Sequence, residues 1–206
     1  MSTNERILSP FTLPNGTELK NRLLMAPMTT CTGYYDGTVT SELVEYYRAR
    51  AGSIGTIIVE CCFVDDLGLA FPGALGIDSD EKIAGLAKIA DAIKSKGSKA
   101  LLQIYHGGRM VDPKLIGGRT PVGPSAVAAP RDGAATPVAL TTEEVEGMVG
   151  KFGDAVRRAI QAGFDGVEIH GANTYLIQQF YSPNSNQRDD EWGGSRDNRA
   201  KFPLAV

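Results

Sequence analysis

An α/β fold built on a parallel sheet is predicted by three features of this 206-residue chain. One unit recurs three times: a helical stretch, a glycine, a short apolar run, a polar residue at its end, then a loop and another helical stretch. The apolar runs are nearly continuous rather than alternating, as strands covered on both faces are. No Gly-x-Gly-x-x-Gly follows the first run, which weakens the case for a dinucleotide-binding open sheet. A β/α barrel and an open doubly wound sheet remain as the two architectures.

Taken in order, Phe11 to Leu19 reads as a hairpin turning at Asn15-Gly16, with a structural role. Arg22 to Thr30 reads as the first buried strand, broken at Pro27, so that Thr29 falls just past its end. A helix is predicted from Ser41 to Ala51 on Leu43, Val44, Tyr46 and Tyr47, ended by Gly52 or Gly55. Thr56 to Cys62 is the second strand. A helix from Asp78 to Lys96 follows, with Asp78 and Glu81 as a capping pair and Gly97 closing it. Ala100 to His106 is the third strand. The stretch from Gly107 to Leu140 is rich in Gly, Pro and Ala and too long for padding, so it reads as a lid or binding loop. Thr141 and Glu144 form a capping box for a third helix, which carries Val145, Met148, Val149, Phe152, Val156, Ala159 and Ile160 at helical spacing and ends at Gly163. Gly166 to His170 is the fourth strand, and Arg196 to Val206 starts a fourth helix.

Composition narrows the function classes. The chain is 42% hydrophobic and 22% charged with a net charge of −3, which suits one domain over residues 1–206. It has no basic patch, so nucleic acid is not an expected partner. No apolar run is long enough to cross a membrane and the N-terminus is not a signal peptide. Cys31, Cys61 and Cys62 are an odd count without metal-ligand spacing, so no metal site and a reduced, cytoplasmic protein are expected.

The polar strand ends carry the chemistry. In a barrel Thr29, Cys61, Gln103 and His170 meet at one face. A flavin suits such a face, because a Gln side chain matches the amide-like edge of its pyrimidine ring. His170 and Asn173 can grip one oxygen from two directions, and Tyr175 can supply a proton. The plainer alternative is a core His, a turn Asn and a packed Tyr, with Thr29 and Gln103 capping strand ends. Arg109 reads as a loop salt bridge, and Glu60 and Glu168 as strand carboxylates paired with an Arg or with backbone donors.

The segment Val167-Glu-Ile-His-Gly-Ala-Asn, followed by Tyr175-Leu-Ile and then by Ser182-Pro-Asn-Ser-Asn-Gln-Arg-Asp-Asp-Glu-Trp-Gly-Gly-Ser, resembles the Old Yellow Enzyme family of FMN-dependent ene reductases. The resemblance runs from about Leu8 to the last residue, and it selects the (β/α)8 TIM-barrel type, with this chain covering about four βα units plus the hairpin. It implies FMN as cofactor and NADH or NADPH as reductant. Ala26, Pro27, Met28 and Thr29 would lie along the flavin, with Cys61 at its edge and Gln103 on its pyrimidine ring. His170 and Asn173 would hold a small-molecule substrate's oxygen. Tyr175 would protonate an activated alkene (an enone or enal) reduced by flavin hydride. The family's phosphate grip and a flavin-contacting arginine belong to later strands, and a whole barrel needs roughly 250 residues. The chain is therefore expected to be the N-terminal half of such a barrel. A contrasting expectation is a half barrel without flavin, associating as a homo-oligomer through its open sheet edges. Another flavin enzyme of the family, such as a dienoyl-CoA reductase or an amine dehydrogenase, is a third.

Overall fold

The computed structural model describes residues 3–206. A hairpin pairs Phe11 with Leu19 and Thr12 with Glu18, and Gly16 takes a φ of +87° in its turn. Four parallel strands then form the wall: β1 (Leu24–Met25), β2 (Thr56–Phe63), β3 (Lys99–Tyr105) and β4 (Gly166–Ile169). They lie in the order β1-β2-β3-β4, and a two-residue strand, Leu75–Gly76, also pairs with β2. Helices α1 (Ser41–Arg50), α2 (Ile83–Lys94) and α3 (Thr142–Gln161) connect them. Short helix α4 (Leu176–Tyr181) and helix α5 (Arg196–Ala205) follow β4.

Consecutive order without reversal puts every crossover helix on one face of the sheet, because parallel crossovers share one hand. The buried residues divide accordingly. Ile57, Val59 and Cys62 of β2, with Leu102 and Ile104 of β3, pack with Leu43 and Tyr47 of α1, Leu86 and Ile93 of α2, and Phe152 of α3. A second cluster gathers Cys61, Phe63, Tyr105 and Tyr175 with loop residues Leu69 and Val111. Hydrophobic burial on the helix side makes the wall, and the second cluster marks its inner side.

α3 is the best-specified helix. The Thr141 hydroxyl accepts from Glu144 N–H at 3.2 Å and the Glu144 carboxylate accepts from Thr141 N–H at 2.8 Å, closing the capping box. Its buried face is Val145, Met148, Phe152, Ala155 and Ala159. Gly163 follows it with a φ of +88°, a conformation glycine adopts at little cost. Ile160, expected on the apolar face, is 53% exposed.

Three other expectations are corrected. The first strand is only two residues long, and Leu24 is 54% exposed, because β1 is an edge paired on one side to β2 among the described residues. The second helix begins at Ile83, after a 3-10 turn over Asp80–Lys82. Asp78 does not cap it, because its carboxylate is paired with Lys82, while Asp80 receives Arg157 and Arg158 from α3. The segment after β3, read as a lid or binding loop, carries structure of its own. It holds 3-10 turns at Gly108–Met110 and Pro113–Ile116, and Val122–Gly123 pairs in parallel with Val138–Ala139.

Candidate functional site

The site begins at an irregularity in β2. Val59 pairs with Leu102 and Cys62 with Ile104, so Glu60 and Cys61 together face the single residue Gln103. Two residues opposite one is a β-bulge, which re-aims side chains near functional sites. Glu60 is fully buried and accepts from the Tyr47 hydroxyl at 3.1 Å, the Thr30 hydroxyl at 3.0 Å and Thr30 N–H at 3.2 Å. Burial raises its pKa and those hydrogen bonds oppose the rise. Neutral donors, not an arginine, therefore hold this carboxylate, and they tie the chain after β1 to α1.

Cys61 sits 3.2 Å from the Thr29 hydroxyl. Burial pushes its thiol up to about 11, so it stays protonated at neutral pH. The adjoining Ala26 and Met28 are exposed, Met28 at 67%, which leaves an apolar stretch uncovered beside Thr29. Gln103 is buried and donates from Nε2 to Glu168 Oε1 at 2.7 Å. Glu168 thus takes a side-chain amide, where an Arg or backbone partner was expected. The Gln103 carbonyl and second amide proton remain for another group.

The end of β4 gathers the other candidates. His170 Nδ1 accepts from Ala172 N–H at 3.3 Å, which leaves the proton on Nε2. Burial holds its pKa below the usual imidazole value, with Glu168 opposing, so the neutral ring is favoured. Asn173 Nδ2 lies 3.4 Å from Nε2, so two donors stand side by side. The Tyr175 ring packs edge-on to His170 at 4.9 Å and near Tyr105 at 5.3 Å. Burial pushes the Tyr175 phenol up to about 12, so it keeps its proton. Tyr175 and Cys61 share the inner cluster, and Gln103 is in register with Glu168, two residues before His170. The candidate residues therefore come to one rim.

Two residues that position this rim, Gln178 and Gln179, escaped the sequence reading. Asn173 and Thr174 both adopt left-handed backbone, with φ +54° and +62°, which is strained for a β-branched residue. Helix α4 holds the turn from below. Gln178 Oε1 accepts from Thr174 N–H at 2.5 Å. The buried Gln179 donates to Thr174 O at 2.7 Å and Gly107 O at 3.1 Å, and accepts from Arg109 N–H at 3.1 Å. Gly108 must be glycine, since its φ is +58° and an added Cβ would meet Gln179 Oε1 at 2.2 Å. The only signal was a Gln pair behind the donor turn, in a six-residue helix too short to announce itself.

Among the described residues Arg109 makes no salt bridge. Its Nη1 donates to the carbonyls of Val127 and Ala128 at 3.2 and 3.1 Å. His106 is buried, accepts from Gly108 N–H through Nδ1, and has its pKa lowered by burial to about 4. No cluster of His, Cys, Asp and Glu able to hold a metal occurs among the described residues, and the three cysteines are free. Among the described residues no helix is long and apolar enough to cross a membrane.

A family model described as NADH:flavin oxidoreductase / NADH oxidase matches residues 6–206. An NADH:fumarate oxidoreductase of Klebsiella pneumoniae (strain 342) is 87% identical over the whole chain, which covers 22% of that protein. An NADH:acrylate oxidoreductase of Vibrio harveyi is 60% identical over 98% of the chain, which covers 20% of it. The chain thus spans about a fifth of these curated relatives. Among solved structures, morphinone reductase matches with a TM-score of 0.89 and 34% identity, over 97% of this chain and 56% of that one. An old yellow enzyme homologue from Zymomonas mobilis matches with 0.89 and 35%, over 97% and 57%. The four-stranded wall is accordingly the N-terminal part of a TIM barrel of that type.

Proposed function

The chain belongs to the NADH:flavin oxidoreductase / NADH oxidase family, and from that premise we propose that it is one domain, the N-terminal part of an FMN barrel that takes hydride from NADH and reduces an alkene conjugated to a carbonyl or carboxyl group. The observation that carries this reading is the pair of donors from His170 and Asn173 beside a phenol that keeps its proton.

The rim fits an isoalloxazine. Ala26, Pro27 and Met28 offer an uncovered apolar surface, Thr29 a hydroxyl next to Cys61, and Gln103 one free acceptor and one free donor. These residues would hold the ring. When bound, FMN supplies a two-electron carrier that accepts hydride from NADH and passes it to the β-carbon of the alkene. His170 Nε2–H and Asn173 Nδ2–H would bind the substrate's acyl oxygen and stabilise the negative charge that builds there. The same pair suits the carboxamide of a nicotinamide, so it serves either partner in turn. Tyr175 would deliver its proton to the α-carbon. The names of the two relatives, which pair NADH with fumarate and acrylate, support an unsaturated acid as substrate and NADH as donor.

A second reading rests on length. The chain covers 22% of the fumarate oxidoreductase but 56% of morphinone reductase, so the former is more than twice as long. The barrel would then only collect hydride from NADH, and the acid would be reduced elsewhere in the longer protein. Tyr175→Phe separates the two, since NADH oxidation needs no proton donor. In stopped-flow work on FMN-loaded full-length protein, the variant should bleach with NADH at the wild-type rate. Reoxidation by fumarate or acrylate should slow by about 10²–10⁴-fold. Unchanged reoxidation would refute the first reading and favour the second.

A further inference from the structure

Behind the Asn173–Thr174 turn lies a cavity of about 150 Å³ to which the mechanism assigns no role. One water needs only about 10–15 Å³ of such space, so a small molecule can enter. Its lining includes Arg109, Thr174, Gln178 and Ser182, and no carboxylate. Arg109 is 7% exposed, and its Nε has no partner. The guanidinium is bonded only through Nη1, to two carbonyls, which leaves Nη2 without a protein acceptor. A buried cation without an anion is costly. The neighbours do not supply one. Gln178 uses its Oε1 on Thr174 N–H, so it offers Nε2–H₂. Ser182 Oγ accepts from Asn184 N–H, so its hydroxyl proton is free. Donors therefore converge where a negative charge is missing.

We infer that this cavity is a binding site for a small carboxylate, with Arg109 as counter-charge and Gln178 and Ser182 as further donors. One guanidinium matches a monoanion better than a phosphate, which is close to dianionic at neutral pH. The site stands independently of the flavin reading. Its occupant would brace the turn that carries Asn173 and Tyr175, since Gln178 reaches both the cavity and Thr174 N–H.

The test is thermal melting of the FMN-loaded full-length protein in sodium acetate against sodium chloride at equal ionic strength. Acetate should raise Tm saturably and chloride should not. The rise should persist in His170→Ala, which removes an acid-binding donor of the rim. It should vanish in Arg109→Met. Because that variant also loses the Val127 and Ala128 contacts, Gln178→Glu is the second arm. It keeps the acceptor for Thr174 N–H and places a fixed carboxylate in the cavity, so its Tm without acetate should reach the wild-type plateau and respond no further. An undiminished acetate response in Gln178→Glu, loss of the response in His170→Ala, or no saturable rise at all would overturn the inference.

Discussion

Replacing Gln179 by Met keeps the volume of a side chain that is 1% exposed but removes its three hydrogen bonds. Thr174 O, Gly107 O and Arg109 N–H would lose their partner. At about 1 kcal/mol or more for each orphaned buried group, Gln179→Met should cost about 3 kcal/mol. The cost has a second part in function. Asn173 and Thr174 hold left-handed backbone, worth about 1–3 kcal/mol of strain each, and the clamp from α4 keeps them there. Freed from Gln179, the turn relaxes and Asn173 Nδ2 leaves His170 Nε2. Urea unfolding reads the first effect. Titration of a phenol or an unsaturated acid against the flavin absorption band reads the second, as at least tenfold weaker binding. Gln179→Glu refines the test: it still accepts from Arg109 N–H but faces two carbonyls with a carboxylate, so low pH should partly restore it. Unchanged stability and affinity in Gln179→Met would mean that Gln179 does not hold the turn.

His106 has its pKa depressed from 6.5 to about 4, so its contribution is complete above pH 6.5 and is lost as pH falls toward 4, by about 3 kcal/mol in all. Urea melts across that range should show the loss, and His106→Asn should flatten it. Glu60→Ala strands the Tyr47 hydroxyl and Thr30 N–H, leaving the Thr30 hydroxyl to Thr32 Oγ1, and should destabilise by about 2–4 kcal/mol, whereas Glu60→Gln keeps one acceptor and should cost less. Gly108→Ala should be destabilising by at least about 1–3 kcal/mol in the same assay, since φ is positive there and Gln179 fills the space.

The fold was legible where local signals agree with packing. The Thr141/Glu144 box and the apolar face of α3 were readable because cap and periodicity coincide, and the runs in β2 and β3 because both their faces are covered. Asp78 misled, since its sequence position suits a cap but Lys82 on the next turn competes for it. Ile160 and Leu24 misled because apolar character does not say whether a neighbour covers it. For the site, His170, Asn173 and Tyr175 were readable as a cluster close in sequence. The bulge pairing Glu60 and Cys61 against Gln103 was invisible, because a register skip leaves no compositional trace. Gln179 was hidden too: its three partners lie on two strand ends that only the sheet brings together.

FMN titration of the full-length protein, followed by visible absorption, asks whether one rim holds FMN through Gln103 and Thr29 and reads an acyl oxygen through His170 and Asn173. The flavin band should be perturbed on binding, retention should be at least tenfold weaker in Gln103→Leu, and a phenol should give a further band shift that is lost in His170→Ala. FMN bound equally well by Gln103→Leu, with a phenol shift indifferent to His170, would contradict that arrangement of the rim.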